Sequence, residues 1–208
     1  SLPQLMIMAL PADHTAGMKE GFPTPRAMVA DNDLAVGRII EALSKSRFWD
    51  STVVFITEDD SQSGWDHVSA YRTTGFVISP YSRLQKTVHT NYNQTCIVRT
   101  IEQILGIPPM NIIDATALPM FDCFTDRVNK TPYATISNKI ALDEMNKPVD
   151  GLTGKAKKYT LLSDSPLFAK IDSGNDDLLN KIEKQLKKRE FGPPSRFLFE
   201  DGMPRNVQ

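Results

Sequence analysis

The residues most able to do chemistry are carboxylates and imidazoles gathered in three polar segments. Asp13 adjoins His14, the triplet Glu58-Asp59-Asp60 precedes Asp66-His67 by a few residues, and His89 stands in a third segment. Three adjacent carboxylates repel one another, so ending an apolar strand in them is unfavourable unless a cation or basic groups offset the repulsion. Carboxylate and imidazole donors together suit zinc, manganese or iron at a catalytic site that keeps one position open for water or substrate. A divalent ion is expected, zinc foremost, with calcium as a further candidate. Asp13, His14, Asp59, Asp60, His67 and His89 are the candidate ligands, and Trp65 and Arg72 are candidates to line a substrate pocket.

Each of these residues also has an ordinary reading. Asp13 can start a turn, His14 can cap one, and His67 near Trp65 can be a packed core imidazole. Hydroxyls in such loops cap or turn more often than they attack, so Thr15 is read as a turn residue rather than a nucleophile. Trp65 and Arg72 fit packing and surface roles equally well.

The elements around these segments follow from hydrophobic pattern. Leu5 to Leu10 is a continuous apolar run ended by Pro11, the pattern of a strand covered on both faces in a parallel sheet. Residues 11–25 carry two Gly and three Pro, which favours an ordered loop. Met28, Ala35, Val36, Ile39, Ile40 and Leu43 recur near helical spacing and predict an amphipathic helix of about five turns. Ser51 to Thr57 reads as a buried strand rich in β-branched residues, and Gly75 to Pro80 as a shorter one halted by proline. Thr95 to Leu105 predicts a second helix with Gly106 at its C-cap.

Strands alternating with helices predict an α/β fold with a mainly parallel sheet flanked by helices. In open sheets of that kind ligands bind beyond the carboxyl ends of strands, so the three polar segments are expected to converge. Residues 1–125 are read as the core domain. Residues 126–208, punctuated by Pro and Gly, are read as an irregular, extended wrapping tail with one helix near 176–188.

Composition excludes some functions. The 208 residues carry 24 Lys plus Arg against 25 Asp plus Glu, a formal net charge of -1 that gives no reason to expect a nucleic-acid partner. No stretch approaches the roughly 18 apolar residues of a membrane span, and the first residues lack the pattern of a secretory signal. Cys96 and Cys123 have no CxxC spacing, so buried thiols are expected rather than a zinc or disulfide framework.

Taken together, Leu10-Pro11-Ala12-Asp13-His14-Thr15, residues 23–33, Phe48-Trp49, Glu58-Asp59-Asp60 with Trp65-Asp66-His67-Val68, and Arg99-Thr100-Ile101-Glu102 resemble the phosphoesterase branch of the alkaline phosphatase superfamily. That branch includes phospholipase C and acid phosphatase-type enzymes. More closely, the chain is similar to the C-terminal part of bacterial proteins in which a YncE-like β-propeller precedes the alkaline-phosphatase-like domain.

The resemblance implies metal-dependent hydrolysis of phosphate monoesters or diesters and a periplasmic or extracellular location. In that superfamily an aspartate and a Thr or Ser nucleophile come early and the remaining ligands late. Asp13-His14 then match the first late ligand group, Asp59-Asp60 the next pair, and His67 or His89 the remainder. The resemblance therefore implies an incomplete domain with its nucleophile on an upstream segment, and contacts with that segment and the propeller. Asp60 departs from the histidine of the dizinc pattern. Two other functions fit the same fold: a noncatalytic metal- or ligand-binding domain, and a phosphotransferase or mutase.

Overall fold

Pro25 opens the longest helix at the position where its fixed φ and missing N–H cost nothing. This helix, α1 (Pro25–Ser44), is preceded by Thr24, whose hydroxyl accepts the amide of Ala27 at 3.3 Å. It ends where Ser44 and Ser46 turn their hydroxyls back onto the carbonyls of Glu41 and Leu43. The computed structural model describes residues 2–58 and 72–165, together with residues 167, 175, 177, 178, 180–182, 184 and 185. The chain divides within α1 into two units, one of Ser1–Ala9 and Ala35–Ile136, the other of Leu10–Leu34 and Ser137–Gln208.

In the first unit, β1 (Val54–Thr57) pairs with β2 (Gly75–Ile78) in register from Val54 opposite Ile78 to Thr57 opposite Gly75. The pair is antiparallel, and among the described residues it is the whole sheet. The fold is thus mixed helix and small antiparallel sheet, and the mainly parallel arrangement expected from sequence is corrected for these two strands. The physical reason lies in the connection: a parallel return needs a crossover, usually a helix, and residues 58–74 carry no helical apolar period. Leu5–Leu10 also departs from expectation. It forms no strand, and Ile7 is 92% exposed. A strand needs a partner for its amides and carbonyls, and no described segment pairs with this one.

The helix α2 (Gln94–Leu105) is capped at both ends, by Asn93 accepting the amide of Cys96 at 3.1 Å and by Gly106 at φ 67°. Only glycine adopts that left-handed conformation without steric cost. A short helix, α3 (Ile112–Thr116), starts with a reciprocal box between Asn111 and Asp114. Burial alone would raise the Asp114 carboxyl, but backbone amides of Asn111 and Met110 hold it below the usual range. Cys96, Met120 and Cys123 form a buried cluster, packed by Phe55, Val77, Tyr92 and Ile97, and Ile40 and Trp49 are buried in the same unit. Both cysteines are free and buried, as read from sequence. Trp49 and Tyr133 meet edge to face at 6.1 Å.

In the second unit, α4 (Gly154–Ser163) buries Thr160, whose hydroxyl lies 3.5 Å from the sulfur of buried Met18. Residues 177, 178, 180–182, 184 and 185 are helical as well. The three lysines of α4 and its lack of an apolar stripe leave it without a sequence signal.

Asn93→Ala is expected to lower the unfolding free energy by about 1 kcal/mol, as for other lost N-caps, with Asn93→Asp near wild type. Urea unfolding measures this. An unchanged midpoint in the alanine variant would show that the cap contributes nothing.

Candidate functional site

Asp13 and His14 lie on a one-turn 3-10 helix, Pro11–His14, with both side chains exposed. Neither side chain has a hydrogen-bond or ion-pair partner among the described residues. Thr15 closes the turn through its amide to the carbonyl of Ala12 at 3.1 Å and takes φ 56°, ψ 166°. That conformation is close to a region reserved for glycine, and a β-branched residue there stores strain on the order of 1–3 kcal/mol. The Thr15 hydroxyl accepts the amide of Gly17 at 3.1 Å, a turn role as its sequence context suggested.

The rest of this loop is held from far along the chain. The carboxamide of buried Asn146 donates to the carbonyls of Gly17 and Lys19 at 3.0 Å each and of Pro23 at 3.2 Å. A carboxamide has two N–H groups, so one is shared between two of these acceptors. The Asn146 amide adds a bond to the carbonyl of Phe22 at 2.9 Å. Glu144 receives the Thr24 hydroxyl at 2.8 Å and both the Nε and a terminal N–H of Arg26. Arg26 first, and Thr24 second, lower the Glu144 carboxyl below its ordinary value.

In the first unit, the end of β1 is tied to its surroundings through Glu58. Thr73 donates its hydroxyl to the Glu58 carboxylate, and the Gln94 side chain donates to the Glu58 carbonyl at 3.1 Å. His89 is exposed in the loop between β2 and α2. The residues that follow it are fixed by half-buried Asp122, which accepts the hydroxyl of Thr90 at 2.6 Å and that of Tyr92 on its other oxygen. Thr90 first and Tyr92 next hold the Asp122 carboxyl below the usual range. Burial, then the bond to Asp122, pushes the Tyr92 phenol up to about 12.

Of the residues singled out from sequence, Asp59, Asp60, Trp65 and His67 lie outside the described residues. Arg72 is exposed next to that segment. The structure brings Asp13 and His14 together only as neighbours on one turn. Among the described residues no three His, Cys, Asp or Glu side chains gather around a point. Taken singly, the exposed carboxylate of Asp13 and the exposed imidazoles of His14 and His89 are donor types that divalent cations accept. Sequence reasoning missed Asn146, Glu144 and Asp122. Their partners are far away in sequence, 129 residues in the case of Asn146 and Gly17, and no local pattern announces such bonds.

Two comparisons found nothing: neither a curated protein nor a solved structure matches the chain significantly. A family model does match. The model described as Phosphoesterase family covers residues 2–108, which include every candidate ligand and exclude Asp122, Glu144 and Asn146.

Asn146→Ala is expected to cost about 2 kcal/mol, because the carbonyls of Gly17 and Pro23 lose their described donor and that of Lys19 keeps only the Phe22 amide. Faster amide exchange across residues 17–24 should accompany it. Unaltered exchange there would show that the loop holds itself. A second expectation concerns pH. The Asp122 carboxyl is depressed in the folded chain, so its contribution is complete above the ordinary aspartate value of about 4 and is lost as pH falls through the lower folded value. NMR shifts of Thr90 and Tyr92 should report an acid transition below that of an exposed aspartate, and Asp122→Asn should abolish it. A midpoint at or above the ordinary value would contradict the bonding described.

Proposed function

The chain belongs to the Phosphoesterase family, and we propose from that premise that it serves metal-dependent hydrolysis of phosphate monoesters or diesters, supplying the late ligands of the site. Hydrolysis of phosphate esters is the coarse function that membership carries. The observation that best supports a site in this chain is the exposed Asp13–His14 pair, without a partner among the described residues, on a turn closed by a strained threonine. Strain of this kind persists only where surrounding bonds enforce it, and here Asn146 and Glu144 hold the loop that follows.

In this reading Asp13, His14, Asp59, Asp60, His67 and His89 would hold one or two divalent ions, zinc foremost, with manganese, iron or calcium as alternatives. Such ions would neutralise charge developing on the transferred phosphoryl group. The chain's own residues bind and orient: carboxylates and imidazoles present oxygen and nitrogen donors, while Trp65 and Arg72 would contact the substrate. The attacking hydroxyl would come from a Thr or Ser on an upstream segment.

The same reading extends to the sheet. The exposed apolar run Leu5–Leu10 would pair with strands of that segment to build the mainly parallel sheet of the alkaline phosphatase superfamily. An upstream YncE-like β-propeller and a periplasmic or extracellular location complete the proposal.

In the full-length protein, Asp60→Ala and His14→Ala should each lower bound metal and hydrolysis of bis(4-nitrophenyl) phosphate by at least about tenfold, the order seen on disturbing metal-site residues. Elemental analysis and product absorbance read the two quantities. Metal content and turnover unchanged in both variants would refute the assignment.

A further inference from the structure

We propose that the groove between residues 82–88 and 125–129 binds a phosphate-type oxyanion, a role that goes beyond the ligand loops described above. Its walls are fixed by backbone. Ser82 and Phe124 form an antiparallel bridge, the amide of Arg83 donates to Cys123, that of Thr125 to Tyr81 and that of Asn129 to Pro80, at 2.8–2.9 Å. The groove is open and encloses about 760 Å³.

Arg83, Lys86 and Arg127 line it, and among the described residues no carboxylate does. Three cations of one sign without a lining acid concentrate anions, although the chain as a whole is near neutral. The Arg83 Nε donates to the carbonyl of Phe124 at 2.9 Å, which orients the guanidinium and leaves its terminal N–H groups for a ligand. The side chains of Lys86 and Arg127 have no hydrogen-bond or ion-pair partner among the described residues. Nearby Lys130, by contrast, is paired with Asp50 at 2.7 Å. Asp122, bonded to Thr90 and Tyr92, also attracts Arg83, which offsets part of that cation's charge and leaves Lys86 and Arg127 as the cations with no described partner. Guanidinium forks and an ammonium lining one groove suit the oxygens of a phosphate group. The hydroxyls of Thr87 and Thr125 add neutral donors at the same walls.

The test is an NMR titration of the full chain with inorganic phosphate and, separately, glycerol phosphate, in buffer containing a chelator so that metal-mediated binding is removed. Saturable shifts are expected at Thr87, Thr125 and Arg127. Affinity should fall about tenfold in Arg127→Glu, the effect of losing a charge-assisted contact, and also fall in the milder double variant Lys86→Gln/Arg127→Gln. Both side chains are exposed and have no partner among the described residues, so the fold should persist, which the unaltered remainder of the spectrum checks. Tighter binding of glycerol phosphate would mark an esterified phosphate as the occupant, and equal binding free phosphate. Shifts that fail to saturate, or that are the same size in the double variant, would overturn the proposal. Because no turnover or metal enters this measurement, its result stands apart from that of the hydrolysis assay.

Discussion

Everything proposed for the Asp13–His14 turn depends on one buried carboxamide. Residues 15–24 contain glycines, a proline and a strained threonine, and pair only some of their own carbonyls, those of Ala16 and Lys19, in short turns. Unpaired backbone groups are costly away from water, so such a loop needs donors from elsewhere. Asn146 provides them to Gly17, Lys19 and Pro23, and its own amide takes Phe22. Glu144 fastens Thr24 and Arg26 at the start of α1. A short segment late in the chain thereby gives shape to a loop it follows by more than a hundred residues.

The first unit repeats the arrangement with different chemistry. There a carboxylate, Asp122, collects the hydroxyls of Thr90 and Tyr92 and so fixes the residues between His89 and the cap of α2. In both places the candidate ligand itself stays exposed, while a neighbouring polar group absorbs the conformational freedom of its loop.

Local pattern made part of this legible. The helical spacing of residues 28–43, Pro25 at the helix start, and Gly106 after Leu105 announce α1 and α2, because amphipathic period and caps are written in neighbouring residues. β-Branched content likewise announces β1. The direction in which β1 meets β2 was not legible, since strand polarity depends on the connection and on partners rather than on either strand. Leu5–Leu10 shows the same limit: its apolar run specifies burial, but no described segment supplies the pairing strand. The lysine-rich α4 lacks a stripe, and the bonds of Asn146, Glu144 and Asp122 cross distances over which no spacing rule operates. The candidate ligands stood out only as residue types, carboxylates and imidazoles between the main elements, and the structure adds how the stretches that follow Asp13-His14 and His89 are held.

The most direct test of the central claim, that the Asp13–His14 turn is a metal-binding element held in place by Asn146, is zinc-edge X-ray absorption of the zinc-loaded full-length protein beside its His14→Ala and Asn146→Ala variants. A shell of oxygen and nitrogen donors is expected, with imidazole scattering reduced in His14→Ala and a disordered shell in Asn146→Ala. A sulfur shell, or three identical spectra, would contradict it.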